Sequence, residues 1–379
     1  MKKQVPIALF LTVMVALSGC VVQDQSATDG ANASSGTDAG FDGGIEPIDR
    51  PKSIQVPDNP PLLNNSPSIA NSYKRLYREI IDSVVSLRVG ERQGSGFVYD
   101  ESGHVITNQH VVNQANGTIY VKFSEGEFRE AKVMGTDVYT DLAVLKVDGV
   151  PEYVDALPVA EEDPVQGELV AAIGTPLTYE GSITQGIVSG VNRRMVTANN
   201  FVIPDTVQTD APINRGNSGG PLVTLNGVVV GVNRAKIGSN IGFAISPELV
   251  NKVVPKLIKD GNITHPYLGV KTQTVTPRVA KAQGMDKVRG VAVVEVVDDG
   301  PSSGILQGKT GKEKIDGLEV PVGGDVIVAI DGQRINSNEE LARYLMTKKN
   351  PDETVEITVL RDGSRKDVKV TLGERPEPK

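Results

Sequence analysis

Ser218 lies at the centre of Gly216-Asn217-Ser218-Gly219-Gly220-Pro221-Leu222. Glycines on both sides let the chain turn tightly enough to expose the hydroxyl, and they leave neighbouring backbone N–H groups able to converge on one point. Nucleophilic acyl transfer needs that combination of an attackable oxygen beside donors for a developing oxyanion. The same residues also fit the Gly-x-Ser-x-Gly turn of α/β-hydrolases, so partners elsewhere in the chain must decide. The chain has only three histidines, which limits the choice of a base that works near neutral pH.

The hydrolase turn requires the order serine, acid, histidine, with a helix after the serine. Here Pro221 follows almost at once, then a hairpin signal, and the histidine beyond Ser218 is His265, in a connection between domains. Both observations exclude that reading. The order histidine, aspartate, serine is the one used by chymotrypsin-like barrels. His110 ends the apolar run that starts at Val105, and Asp141 heads the apolar run Leu142 to Val147. An aspartate at the mouth of a buried strand is shielded from water and can be aimed at an imidazole N–H. His104, beside Gly103, reads as a solvated turn residue. Asp137, in a more polar stretch, reads as the weaker candidate for that role.

The elements that must position these groups are mostly strands. Ile119, Val121 and Phe123 alternate with polar neighbours, and Phe97-Val98-Tyr99 and Val105-Ile106 flank a Gly103 turn. Asn226-Gly227 between two apolar runs signals a hairpin. Many short strands without intervening helices predict a barrel or sandwich rather than a βαβ fold. A helix is expected after Pro67, with Ile69, Tyr73, Leu76 and Ile80 at helical spacing. A second should open at Ser246-Pro247, carry Leu249, Val253 and Leu257, and end at Gly261. Beyond Pro266 the pattern changes. Ser337 and Glu340 form a capping box, and alternating runs on either side of Asp362-Gly363 predict a closing hairpin.

Composition bounds the function. Of 379 residues, 39% are apolar and 23% charged, as in soluble globular proteins, and a net charge of −8 argues against nucleic-acid partners. Lys2 and Lys3 precede an apolar run from Val5 to Leu17 that is short for a membrane span and fits a secretory signal. Leu17-Ser18-Gly19-Cys20 resembles the lipobox of lipoproteins, which implies cleavage before Cys20 and lipidation of the chain's one cysteine. Residues 21–66 carry seven acidic residues against Arg50 and Lys52 and little apolar surface, which predicts a flexible tether. Neither the histidines nor the single cysteine form a metal motif, so no metal and no cofactor are expected. Gly308-Lys309-Thr310 lacks the spacing of a nucleotide loop.

Thr107-Asn108-Gln109-His110-Val111-Val112, Thr140-Asp141-Leu142-Ala143-Val144-Leu145 and the Ser218 segment resemble, in order and spacing, the three catalytic motifs of the HtrA/Deg serine proteases. Gly94-Ser95-Gly96-Phe97 and Ile241-Gly242-Phe243-Ala244-Ile245 are similar to further motifs of that family, and the C-terminal part resembles its PDZ domain. The resemblance runs from about Ile69 to Leu372. It implies a mainly β fold: a chymotrypsin-like double β-barrel followed by a small α/β PDZ domain. The implied division is a signal peptide at 1–19, a lipidated acidic tether at 20–66, the protease at 67–263 and the PDZ domain at 264–375.

The implied chemistry has Ser218 as nucleophile, His110 as base and Asp141 as its orienting acid, with the N–H groups of Gly216 and Ser218 as oxyanion hole. Ile213, Ile241 and Phe243 are expected to line a pocket for small aliphatic side chains, with core packing as the alternative for Ile213 and Phe243. Tyr267, Leu268, Gly269 and Val270 are expected to cradle a peptide carboxylate, the ligand adding as a strand beside the helix from Ser337. The Gly/Lys-rich insertion 304–324 could alter access to that groove. The resemblance further implies ATP-independent cleavage of unfolded or damaged extracytoplasmic proteins by a membrane-tethered homotrimer. Two alternatives stand beside it: a chaperone or scaffold with a latent triad, its loop around Arg215 and Gly216 unproductive, and a regulatory protease with one substrate.

Overall fold

The computed structural model describes residues 69–90, 92–113, 118–175, 181–196, 202–214, 216–236 and 240–377. Six antiparallel strands close a first barrel: Val84–Val89 (β1), Arg92–Val98 (β2), His104–Asn108 (β3), Ile119–Lys122 (β4), Phe128–Asp137 (β5) and Leu142–Val147 (β6), in the order β1-β2-β3-β6-β5-β4. Six more close a second: Leu169–Gly174 (β7), Ser182–Val196 (β8), Val202–Thr209 (β9), Pro221–Thr224 (β10), Val229–Lys236 (β11) and Gly242–Ile245 (β12), in the order β10-β11-β12-β9-β8-β7. Asn226-Gly227 turns β10 into β11 as expected, with the Thr224 N–H donating to Val228 and the Gly227 N–H to Thr224.

The apolar run of β6 has a physical reason. One face points into the first barrel, where Ala143, Leu145 and Val147 meet Val85, Leu87, Val98, Val105 and Val121. The other face joins a second cluster, where Leu142 and Val144 meet Phe97, Ile106, Ile173, Val232 and Ile245. That cluster welds the two barrels together, so strands bordering it are buried on both sides and lose the usual polar alternation. Two helices complete it. Tyr73, Leu76 and Ile80 enter from α1 (Ile69–Ile80), and Leu249, Val253 and Leu257 from the helix Pro247–Asp260. The latter is α3, after the four-residue α2 (Gln109–Val112). Ser246 caps α3 by accepting from the Leu249 N–H, and Gly261 ends it at φ 76°. Gly135 of β5 lies so close to that end that a Cβ would sit 2.4 Å from the Gly261 oxygen.

The C-terminal unit opens with Pro266–Tyr267 (β13), Val270–Thr274 (β14), the short α4 (Pro277–Ala282) and Val291–Val296 (β15). Within the insertion, Gly311–Ile315 (β16) and Leu318–Val322 (β17) pair as a hairpin. Val326–Ile330 (β18), Gln333–Arg334 (β19), α5 (Asn338–Lys348), Thr354–Arg361 (β20), Ser364–Thr371 (β21) and Gly373–Glu374 (β22) follow. The main sheet runs β14-β15-β18-β20-β21, which leaves β14 on an edge beside α5. Ser337 caps α5 through the Glu340 N–H, while the Glu340 carboxylate reaches back to the Asn336 N–H. Among the described residues no helix is long and apolar enough to cross a membrane.

Candidate active site

β3 runs directly into α2, and β6 begins where that turn is made, so His110 and Asp141 face each other across adjacent strand ends. Asp141 adopts φ 59°, a conformation aspartate tolerates better than most residues. From it the Asp141 carbonyl accepts the Gln109 N–H at 2.9 Å, and Oδ1 accepts the His110 N–H at 2.9 Å. Oδ2 accepts His110 Nδ1 at 2.7 Å and Arg234 Nε at 2.8 Å. The Asp141 side chain is 5% exposed and the imidazole 42%. Burial pushes the carboxyl up, but the hydrogen bonds from His110 and the charges of His110 and Arg234 outweigh it and hold Asp141 below the usual carboxylate range. An ionised aspartate on Nδ1 fixes the tautomer in which Nε2 can accept a proton.

The serine loop is pinned from the first barrel. Ser95, in β2, donates its N–H to the Ser218 carbonyl at 2.9 Å and its hydroxyl to the Gly216 carbonyl at 2.6 Å. The Ser95 hydroxyl also accepts the Thr175 N–H. Gly219 has φ 84°, and a Cβ there would stand 2.2 Å from both the Ser95 oxygen and Thr107 Oγ1. That glycine therefore lets the loop sit against the end of β3, next to the turn that carries His110. The Gly219 N–H donates to the Asn233 carbonyl, and Ser218 Oγ donates to the Arg234 carbonyl at 3.1 Å. Asp141 and Ser218 thus both contact Arg234, and His110 shares the Asp141 oxygen that Arg234 holds. An ionised acid, an oriented imidazole and a hydroxyl held in a glycine turn can carry out acyl transfer.

Residues 94–232 match the trypsin-like peptidase domain, and residues 266–372 match the PDZ domain. The chain is 38% identical over 75% of its length to a probable periplasmic serine endoprotease, DegP-like, of Halomonas elongata, covering 57% of that protein. It is 33% identical to the chloroplastic Protease Do-like 1 of Arabidopsis thaliana, over 87% of this chain and 75% of the relative. Among solved structures, the HtrA-type protease AlgW with tripeptide superposes with a TM-score of 0.67 at 31% identity, covering 81% of this chain and 98% of AlgW. The chain belongs to the HtrA/Deg family of serine proteases. The serine endoprotease of Yersinia pestis is also similar, with a TM-score of 0.58 at 30% identity over 82% of this chain and all of that one. The chain spans little more than half the length of the DegP-like relatives, 57% and 58% for the first two.

In this HtrA/Deg chain, several expected residues fall elsewhere. His104 is not a solvated turn residue: it is 9% exposed, and its Nδ1 pairs with Asp100 Oδ2 at 2.6 Å, because the turn folds Asp100 back over it. Asp137 is buried and serves His265, whose Nε2 lies 2.8 Å from its Oδ2. Phe243 does not share a wall with Ile213. Strand alternation sends Phe243 into the cluster between the barrels, whereas Ile213 packs inside the second barrel, beneath Gly242. Ile241 is 38% exposed. Arg215 and Cys20 lie outside the described residues.

Tyr267, Leu268, Gly269 and Val270 line a cavity of about 230 Å³ with Leu341 and Leu345 of α5, and Val202 and Pro204 of the second barrel close one side of it. The insertion 304–324 contributes no residue to that lining. Sequence reasoning missed Ser95 as the clamp and Arg234 altogether. The one signal for Arg234 is a charged residue near the end of the apolar run Val228 to Val232. It also missed a convergence of three carboxylates, Asp163, Asp205 and Glu248. Arg343 of α5 lies against all three, at 3.3, 3.3 and 3.0 Å.

Proposed function

We propose that this chain is an ATP-independent serine endopeptidase that cuts unfolded or damaged polypeptides outside the cytoplasm. Ser218 attacks the peptide carbonyl while His110 takes its proton and returns it to the leaving amine. Asp141 holds the imidazole and offsets its charge. The N–H groups of Gly216 and Ser218 receive the oxyanion, each such donor lowering the barrier by about 3 kcal/mol. The observation that supports this reading is that Asp141 holds both His110 and Arg234 on one carboxylate oxygen, while the Arg234 carbonyl holds the Ser218 hydroxyl. The groove between β14 and α5 takes a peptide C-terminus as an added strand, since β14 is a sheet edge. Periplasmic naming of the relatives and the apolar leader support an extracytoplasmic location. Cys20 is the point of lipid attachment, and the assembly is a homotrimer. Cleavage after small aliphatic residues remains the reading for Ile213 and Ile241.

Casein digestion by the wild-type chain and by Ser218→Ala tests the mechanism. Cleavage that survives the substitution overturns it. A second reading, a latent triad, is favoured by one observation: the Ser218 hydroxyl donates to a carbonyl, so its proton must swing to His110 before attack. Activity that appears only after a C-terminal peptide is added would favour that reading.

A further inference from the structure

Arg234 touches two of the three residues in the constellation through different atoms. Its Nε donates to Asp141 Oδ2 at 2.8 Å, the same oxygen that receives His110 Nδ1, and its carbonyl accepts the Ser218 hydroxyl at 3.1 Å. The guanidinium is a permanent cation, and its side chain is 15% exposed, so water screens it little. We propose that Arg234 is a positioning residue of the catalytic site, which holds Asp141 and Ser218 in register and sets the lower pH limit of proteolysis. This inference rests on the serine mechanism above.

The physical argument has two parts. An aspartate that serves only an imidazole lends it the whole of its negative charge. Here a fixed positive charge shares the same carboxylate oxygen, so the field favouring a second cation on His110 is weaker. Among the described residues, the charged groups acting on Asp141 are His110 from α2 and Arg234 from β11. The second part is mechanical. The Arg234 side chain and carbonyl belong to one residue of β11, so the ion pair fixes the strand position from which that carbonyl holds the nucleophile.

The test is the pH dependence of kcat/KM for the full chain on an internally quenched peptide, comparing wild type with Arg234→Met and Arg234→Lys. Removing the charge should move the acidic limb of Arg234→Met to higher pH by about one unit. Arg234→Lys keeps the charge but not the planar donor, so its limb should stay with wild type while kcat falls. Arg234→Gln serves in place of Met if the latter does not fold, with the same expected shift. Superimposed limbs for wild type and the uncharged variant, or equal shifts for the uncharged variant and Lys, would overturn the proposal. Loss of activity in these variants would leave the serine mechanism intact. Activity persisting in Ser218→Ala would remove the mechanism and this inference together, so the two failures are distinguishable.

Discussion

His110 rests on Asp141 at 2.7 Å and His265 rests on Asp137 at 2.8 Å. By distance the two pairs are alike, but their surroundings are opposite. The His110 ring is 42% exposed and shares its site with a serine, a glycine turn and Arg234. The His265 ring is 1% exposed and meets the edge of Tyr139 at 5.4 Å between ring centroids. Among the described residues its Nδ1 has no hydrogen-bond partner. Around it the joint is tied by the Tyr139 hydroxyl on the Pro376 carbonyl, by Arg375 over the Tyr139 ring and by the Arg375 N–H on the His265 carbonyl. A histidine on a buried aspartate is therefore not by itself a base. Access and a reactive neighbour make it one, and their loss turns the same pair into a structural tie.

The carboxylates extend the contrast. Asp141 alone takes the Arg234 cation and a hydrogen bond from His110 and is held ionised, whereas Asp163, Asp205 and Glu248 share Arg343, with Lys348 reaching only Glu248. Burial first, then the charges of Asp205 and Glu248, push Asp163 up to about 7 against the opposing pull of Arg343. Burial likewise raises Asp205. Asp163 Oδ1 and Glu248 Oε2 are buried without a partner, which suits a site that carries a proton. The supply of cations per carboxylate, more than depth, separates the two sites.

The largest expected effect breaks the catalytic pair. Asp141→Asn should lower kcat by about 10⁴-fold, because the amide favours the wrong imidazole tautomer. Asp137→Asn should act on stability instead. It should cost about 3 kcal/mol in denaturant unfolding, as leaving buried hydrogen-bonding groups of His265 and Thr140 unpaired does, and leave kcat of the folded enzyme within about twofold. Arg343→Met should destabilise at pH 8 by about 2–3 kcal/mol, because Asp163 and Asp205 lose their cation and Glu248 keeps only Lys348, and should regain much of that at pH 5 as Asp163 and Asp205, raised by burial, protonate. The smallest effect is a slope. Asp163 binds its proton more tightly folded than unfolded between about pH 4 and 7, so stability should fall as the pH rises through that window. Asp163→Asn should flatten the fall, by a fraction of the roughly 1.4 kcal/mol per pH unit that one whole proton carries.

Much of this was legible in the sequence because it is local. The α1 stripe, the Ser246 and Ser337 caps, the Asn226-Gly227 and Asp362-Gly363 turns and the Gly216–Gly220 loop are each set by neighbours in the chain. Chain order alone separated His110 from His265. Contacts between distant segments were not legible. Arg234 meets Asp141 across 93 residues and Arg343 meets Asp163 across 180. Nothing near Arg343 distinguishes it from a solvated arginine, and Arg234 is marked only by its place after the apolar run Val228 to Val232. For Phe243 the core alternative holds, and the choice was open in the sequence because strand alternation fixes opposite faces but not which face borders the cleft.

The central claim is that one of three histidine–aspartate pairs activates Ser218. A fluorophosphonate probe, followed by mass spectrometry of the modified peptide, tests it directly in wild type, His110→Ala and His265→Ala. The account predicts an adduct on Ser218 that disappears in His110→Ala and persists in folded His265→Ala. An adduct on another residue, or undiminished labelling of Ser218 without His110, would contradict it.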